Sequence, residues 1–490
     1  MLAAFKITSY RMTDRSWYDC FHLTEGNQVT EELVEAFKSG HVYLGTEPED
    51  FLFTLDNPYD TNERDMFGEH YSWDHVLYNG HYYSYYGIAP VILLMLPYNL
   101  ITGYYCADEF AILVFAFAAL CGIARMYMVF VRKWFSDISA GVVIACLFIL
   151  QISCGLWYSV GRADFYEVSL SAGLAFISWA GYFFLRSGVP EKGKISKRYT
   201  ALSSLFFALA VLSRPTLAVY CICAAAFMLA AVPSTGSGRI LSSGKVLPVG
   251  RQTVTYLVCA FVPMAALGIV QMIYNYSRFG SVLDFGIQYS LTINDFTKSQ
   301  FHFKFCALAI YNYLFNPPVI QSEYPFVRTQ FQHMYQSGYF YEDILCTLNT
   351  SGLFALVPLS WFYLAAKRAL RTFGTRRDKI IMLLKIAVPC LLAPLIIIMS
   401  VWESGYAVRY MGDFSVEIIM GAYVFMFLVL KTTNNQTIKK LVTYAVCASV
   451  VWVICIEGIQ IVNQAFRYQE NVYNFPEIAY DVERLVSVWK

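Results

Sequence analysis

Four short stretches of this chain set arginine at the ends of apolar runs, three of them with a carboxylate close by. SVGRADFYEV holds Arg162, Asp164 and Glu167, and VLSRPTL holds Arg214. NYSRFGSVLDF holds Arg278 and Asp284, and ESGYAVRYMGDF holds Glu403, Arg409, Tyr410 and Asp413. A guanidinium binds a phosphate through two parallel hydrogen bonds. A carboxylate placed near a hydroxyl can take its proton. Ionisable groups at the edge of a membrane are costly to keep and so point to a site. The plainer reading is that Arg162 with Asp164, and Arg409 with Asp413, are structural ion pairs at helix ends.

A second group lies early in the chain. LDNPYDTNER is a turn cluster holding Asp60 and Arg64. HYSWDHVLYNGHYYSYYG, residues 70–87, holds Asp74, Tyr82 and Tyr83 among seven Tyr or Trp and three His. Most of these aromatics fit an interfacial belt, where Tyr and Trp are favoured. His70, His75 and His81 do not follow a metal-binding helical spacing. Glu25, in TEGNQ, precedes VTEELVEAFKSG, where Val29, Leu33, Val34 and Phe37 recur at helical spacing and Gly40 is a stop. That spacing predicts an amphipathic helix lying on the membrane. Asp14 and Asp19 are further carboxylates.

The elements that must hold these groups are membrane helices. The 490 residues are 57% hydrophobic and 14% charged, against about 25% charged in soluble domains. Mean hydropathy is +0.46. The net charge of +1 and the lack of basic runs give no sign of a nucleic-acid partner. Most of the thirteen cysteines lie in apolar segments, where they act as small hydrophobes rather than a disulfide framework.

A span needs about 20 apolar residues. Ten runs qualify, near 109–131, 138–157, 165–185, 200–213, 215–232, 253–274, 351–367, 380–401, 414–430 and 441–462. The expected fold is therefore all-α, a polytopic transmembrane bundle of about ten spans. Arg214-Pro215 separates the fourth run from the fifth, and one long kinked helix is the alternative there. The loops 132–137, 186–199, 233–252, 367–379 and 431–440 hold 19 Lys and Arg but only three acids. The positive-inside rule makes them cytoplasmic.

The chain then divides into five parts. Residues 1–108 form an outer loop with amphipathic and interfacial helices. Residues 109–274 form the first half of the bundle, and 275–350 a second large outer loop. Residues 351–462 form the second half, and 463–490 an outer tail. The apolar stretch 88–103 is short and holds Pro90 and Pro97, so it reads as an interfacial helix. FKFCALAIYNYLFNPPVI reads as another, ended by Pro317-Pro318. An outer segment 1–87 predicts a further apolar helix upstream of Met1.

An early acidic outer loop, the interfacial stretch YYGIAPVILLMLPYNLITG, the arginines in short outer turns and a late RYMGDF are now in view. Together they resemble the bacterial GT-C superfamily of integral-membrane glycosyltransferases. The closest similarity is to the family 39, protein mannosyltransferase and aminoarabinose transferase branch. NPYD…R…WD…YNGxYY…YGxxP and YNYSRFGSVLDFGIQY resemble a largely uncharacterised set grouped with those enzymes.

The resemblance implies a multi-pass protein of the plasma membrane with its large loops extracytoplasmic. It implies a polyprenyl-phosphate-linked sugar as donor and a glycan, lipid or protein acceptor. A carboxylate of the first outer loop would be the base or would bind a divalent metal, Mg or Mn. Glu25 and Asp74 are the candidates for that carboxylate. Asp60, Arg64, Tyr82, Tyr83, Arg162, Asp164, Arg214, Arg278, Arg409, Tyr410 and Asp413 are the candidates for substrate binding. Two other classes fit the same residues. One is a transporter or flippase of a lipid-linked sugar. The other is a non-catalytic envelope-assembly protein of transferase ancestry.

Overall fold

A computed structural model describes residues 21–191, 194–232, 251–298, 301–322, 326–329, 334–336, 339–341, 351–401 and 406–465. Asp14, Asp19, Glu403 and the tail expected at 463–490, apart from its first residues, lie outside the described residues. The fold is all-α with a few two-stranded hairpins.

Among the described residues, six helices are long and apolar enough to cross a membrane. They are α4 (Asp108–Trp134), α7 (Phe165–Ser187), α10 (Arg251–Phe279), α12 (Arg376–Ser400), α13 (Ser415–Thr432) and α14 (Gln436–Ala465). The other four expected spans are shorter or broken. The run 138–157 becomes α5 (Ala140–Ile152), a turn at Gly155, and α6 (Leu156–Arg162). The runs 200–213 and 215–232 become α8 (Lys197–Ser213) and α9 (Pro215–Ala230). They do not form one kinked helix, because the proline drives the residue before it out of the α region. Arg214 is accordingly extended (φ −143°, ψ 104°). The run 351–367 is a series of short turns, Leu353–Leu356 and Pro358–Ala365 among them.

Before the bundle come α1 (Val29–Ser39), α2 (Thr61–Phe67), the hairpin β1 (Val76–Tyr78) with β2 (His81–Tyr83), and the apolar α3 (Val91–Thr102). Gly40 ends α1 in the left-handed region, as its sequence predicts. The apolar face of α1 does not lie on a membrane surface, however. Val29, Leu33 and Val34 are buried inside the protein, and α1 packs on α3. It is α3 that leaves Leu93, Leu100 and Ile101 exposed. Phe303–Phe315 forms α11, which buries Phe305, Cys306 and Tyr313 and exposes Phe303 and Phe315.

Asn79 and Gly80 both take positive φ (48° and 80°) at the tip of the β1–β2 hairpin. Asn-Gly is the preferred pair for such a turn. The hairpin is a strand pair that the aromatic composition of 70–87 does not announce. Its β1 edge continues onto the 290–291 segment: Asp74 N donates to the Leu291 carbonyl, and Leu291 N donates to that of His75.

Candidate active site at one end of the bundle

Around Tyr166 the chain gathers charged groups from segments far apart in sequence. Asp164 precedes the first turn of α7, which carries Phe165, Tyr166 and Glu167. The Tyr166 hydroxyl donates to Asp74 Oδ2 at 2.7 Å. Asp74 is 9% exposed and sits at φ 57°, a conformation that Asp tolerates better than most residues. Its backbone bond to Leu291 helps hold it there.

Arg409 lies over the Tyr166 ring, 4.6 Å from its centroid, with Nη1 3.8 Å from Glu167 Oε1. Glu167 is fully buried and also accepts from Ser159. Arg214 holds Asp413 through Nε (3.3 Å) and Nη2 (2.5 Å), and Thr216 donates to the same carboxylate. Tyr410 stands between the two guanidiniums, 5.2 Å from Arg214 and 5.4 Å from Arg409. The pairing within RYMGDF that the sequence suggests is thus replaced by two long-range ion pairs. Arg409 takes Glu167, and Asp413 takes Arg214. Burial opposes the charge on Arg214, but Asp413 more than offsets it and holds the pKa above its ordinary value.

Local packing explains why these segments meet. Gly155 takes φ 78°, and a Cβ there would stand 2.5 Å from Gly412 N, so the α5–α6 turn and the 408–413 turn touch backbone to backbone. Gly173 leaves room across α7 for Arg214: a Cβ there would be 2.8 Å from Arg214 Cγ. Tyr313 clamps the start of the 406–414 segment. Its ring stacks on Tyr406, and its hydroxyl bonds both the N–H and the carbonyl of Ala407.

Aromatics close the cluster. Tyr86 meets Tyr166 and Phe165 edge-on, and its hydroxyl donates to Tyr85 at 3.0 Å. Burial pushes both phenols well above their ordinary pKa, so they stay neutral. On another side of Tyr166 lies a cavity of about 220 Å³. Its walls include Gln28, Glu31, Asp108, Glu109, Asp164 and Tyr166. Asp108 is buried and accepts from Thr30 at 2.6 Å.

Of the residues singled out by sequence, the structure brings Asp74, Arg214, Arg409, Tyr410 and Asp413 into this cluster, with Asp164 on the cavity beside it. Arg162 is the last residue of α6, two positions before Asp164. Glu25 is exposed on the loop before α1 and outside the cluster. The others hold the scaffold. Asp60 caps α2 by accepting from Asn62 N. Arg64 is fully buried and bonds the Pro58 and Thr292 carbonyls. Tyr82 is fully buried and donates to Glu49 at 2.5 Å. Tyr83 packs on Phe279. Arg278 bonds the Ser84 carbonyl and Asn275, tying the aromatic segment to the end of α10.

Tyr85, Tyr86 and Tyr166 are central here, yet they carry no sequence signal beyond aromaticity. Glu31 and Asp108 read in sequence as ordinary first-turn helix acids. Among the described residues no group of three His, Cys, Asp or Glu could hold a metal ion, so the divalent metal implied by the resemblance finds no ligand set there. Compared with known proteins, the chain matches no family model, no curated protein and no solved structure.

Proposed function

We propose that this chain is a membrane glycosyltransferase that moves a sugar from a polyprenyl-phosphate donor to an acceptor hydroxyl on the extracytoplasmic face. The observation that carries the reading is Arg409. It is 9% exposed, and among the described residues its Nη1 has no hydrogen-bond partner, although it faces Glu167 at 3.8 Å. A buried guanidinium N–H left unbonded is costly. A phosphate oxygen would satisfy it. In this reading Arg409 and Arg214 offset the charge that builds on the departing phosphate, which is worth most where water is excluded. Asp74 accepts the proton of the attacking hydroxyl, with Tyr166 as its positioning partner. The acceptor approaches through the cavity beside Tyr166.

The same reading assigns this end of the bundle to the outside of the plasma membrane and the basic loops to the cytoplasm. It also counts the shorter helices among about ten spans, alone or in pairs. Transport of a lipid-linked sugar is the second reading. It draws on Glu457 and Gln460 of α14, both buried within a candidate span, since buried polar groups at that depth commonly line transport paths.

The test uses purified chain in lipid and a panel of polyprenyl-phosphate sugars, following release of free polyprenyl phosphate. Wild type should release it. Asp74→Asn should bind the donor and fail to release. Donor binding with no release by wild type would overturn the reading.

A further inference from the structure

The opposite end of α4 carries an arginine in an unexpected place. Arg125 is the eighteenth of the helix's 27 residues, nine before Trp134, or about 13 Å along the axis. It is exposed. The opposite face of α4 buries Ala119, Ile123 and Phe130, so Arg125 points away from the bundle core. Phe117 and Cys121 continue its stripe toward the middle of the helix, and Phe117 is 50% exposed. Arg132, also exposed, lies seven residues on, two turns away and nearly in line.

A helical side chain leaves its backbone tilted toward the helix N-terminus. Arg125 therefore has to bend its long side chain back toward Arg132 and the helix end to bring its guanidinium to water or to a headgroup. A bare guanidinium left in the apolar layer is costly. The acids at this end are already engaged. Glu191 pairs with Lys133 at 3.0 Å, and Asp137 lies 3.9 Å from Lys431. Among the described residues neither Arg125 nor Arg132 has an acidic partner.

We propose that Arg125 and Arg132 bind the phosphate of an anionic phospholipid, with an acyl chain lying along Phe117 and Cys121. The charge is complementary, and two in-line guanidiniums can share one phosphate through paired hydrogen bonds. The stripe of apolar surface beyond them suits a chain. Basic side chains near the ends of membrane helices attract anionic headgroups, by about 1 kcal/mol for each cation near the surface. The site is separate from the cluster around Tyr166 and independent of the sugar-transfer reading.

The experiment reconstitutes the full chain in phosphatidylcholine with or without phosphatidylglycerol, then counts retained lipid by native mass spectrometry after gentle extraction. Wild type should keep phosphatidylglycerol in preference to phosphatidylcholine. Arg125→Leu, which suits an apolar helix, should lower the retained amount about fivefold, the weight of one cation at a lipid surface. Lys440→Leu, which removes a cation from the same end, should leave it unchanged. Melting in phosphatidylcholine alone checks that both variants fold. Equal retention by Arg125→Leu and wild type would overturn the proposal. So would equal loss in both variants, or loss of a dimer in Arg125→Leu without loss of lipid.

Discussion

At the scale of single residues, Arg214 and Asp413 set the terms. The pair is bidentate, and the Asp413 side chain is only 2% exposed. Removing one member of such a pair leaves a buried charge uncompensated, a loss of about 3–5 kcal/mol. Arg214→Leu and Asp413→Leu should each lower stability by that order, and the double variant by clearly less than their sum. A double-mutant cycle on melting reads this directly. Additive losses would mean that the two groups do not depend on each other.

Sequence alone shows both residues as site candidates, but it pairs Asp413 with Arg409 and gives Arg214 no partner. Adjacency in RYMGDF suggests Arg409 with Asp413. The pairs that form instead bridge about 200 and 240 positions, and no spacing rule reaches that far. The same holds for Asp74: its composition marks it, while its link to Tyr166 comes from the fold. Arg64 and Tyr82 show the converse. They are charged or polar in sequence, yet they serve as buried struts.

At the scale of elements, periodicity and stop signals read well. The bounds of α1 with its Gly40 cap, the break at Arg214-Pro215, and α11 before its prolines all follow from residue type. The β1–β2 hairpin is missed when 70–87 is read as an interfacial belt, although its Asn79-Gly80 tip is a turn pair amid the aromatics. Whether α1 buries its apolar face in protein or in lipid was not legible, because both environments select the same side chains.

The close approach of the α5–α6 turn to the 408–413 turn is the element-scale feature on which the site depends. Gly155→Ala combines a positive φ with a Cβ against the Gly412 backbone. Strain of this kind costs about 1–3 kcal/mol. The variant should melt earlier and lose turnover as Arg409 shifts. Gly141→Ala, where a Cβ meets nothing within 4 Å, should match wild type in both. A Gly155→Ala variant with wild-type turnover would show that the contact does not position Arg409.

At the scale of the molecule, the six helices among the described residues that are long and apolar enough to cross a membrane frame a protein whose two ends differ in chemistry. One end gathers Asp74, Glu167, Arg214, Arg409 and Asp413 around aromatic rings beside a carboxylate-lined cavity. The other presents Arg125, Lys133 and Lys431 with few acids. Hydropathy foretells the long helices. It marks the shorter runs as apolar without telling how they cross, since helices of 13 to 17 residues fall short of a straight span's length.

The polarity of the two ends makes the central claim directly testable. In sealed vesicles holding the full chain, with a labelled polyprenyl-phosphate sugar and a hydroxyl acceptor, bond cleavage and donor movement between leaflets can be followed together. The account predicts polyprenyl phosphate release without donor movement, with release about 10²- to 10³-fold slower in Arg409→Leu, the size expected for loss of a charge-stabilising group. Donor movement with no bond broken would contradict it.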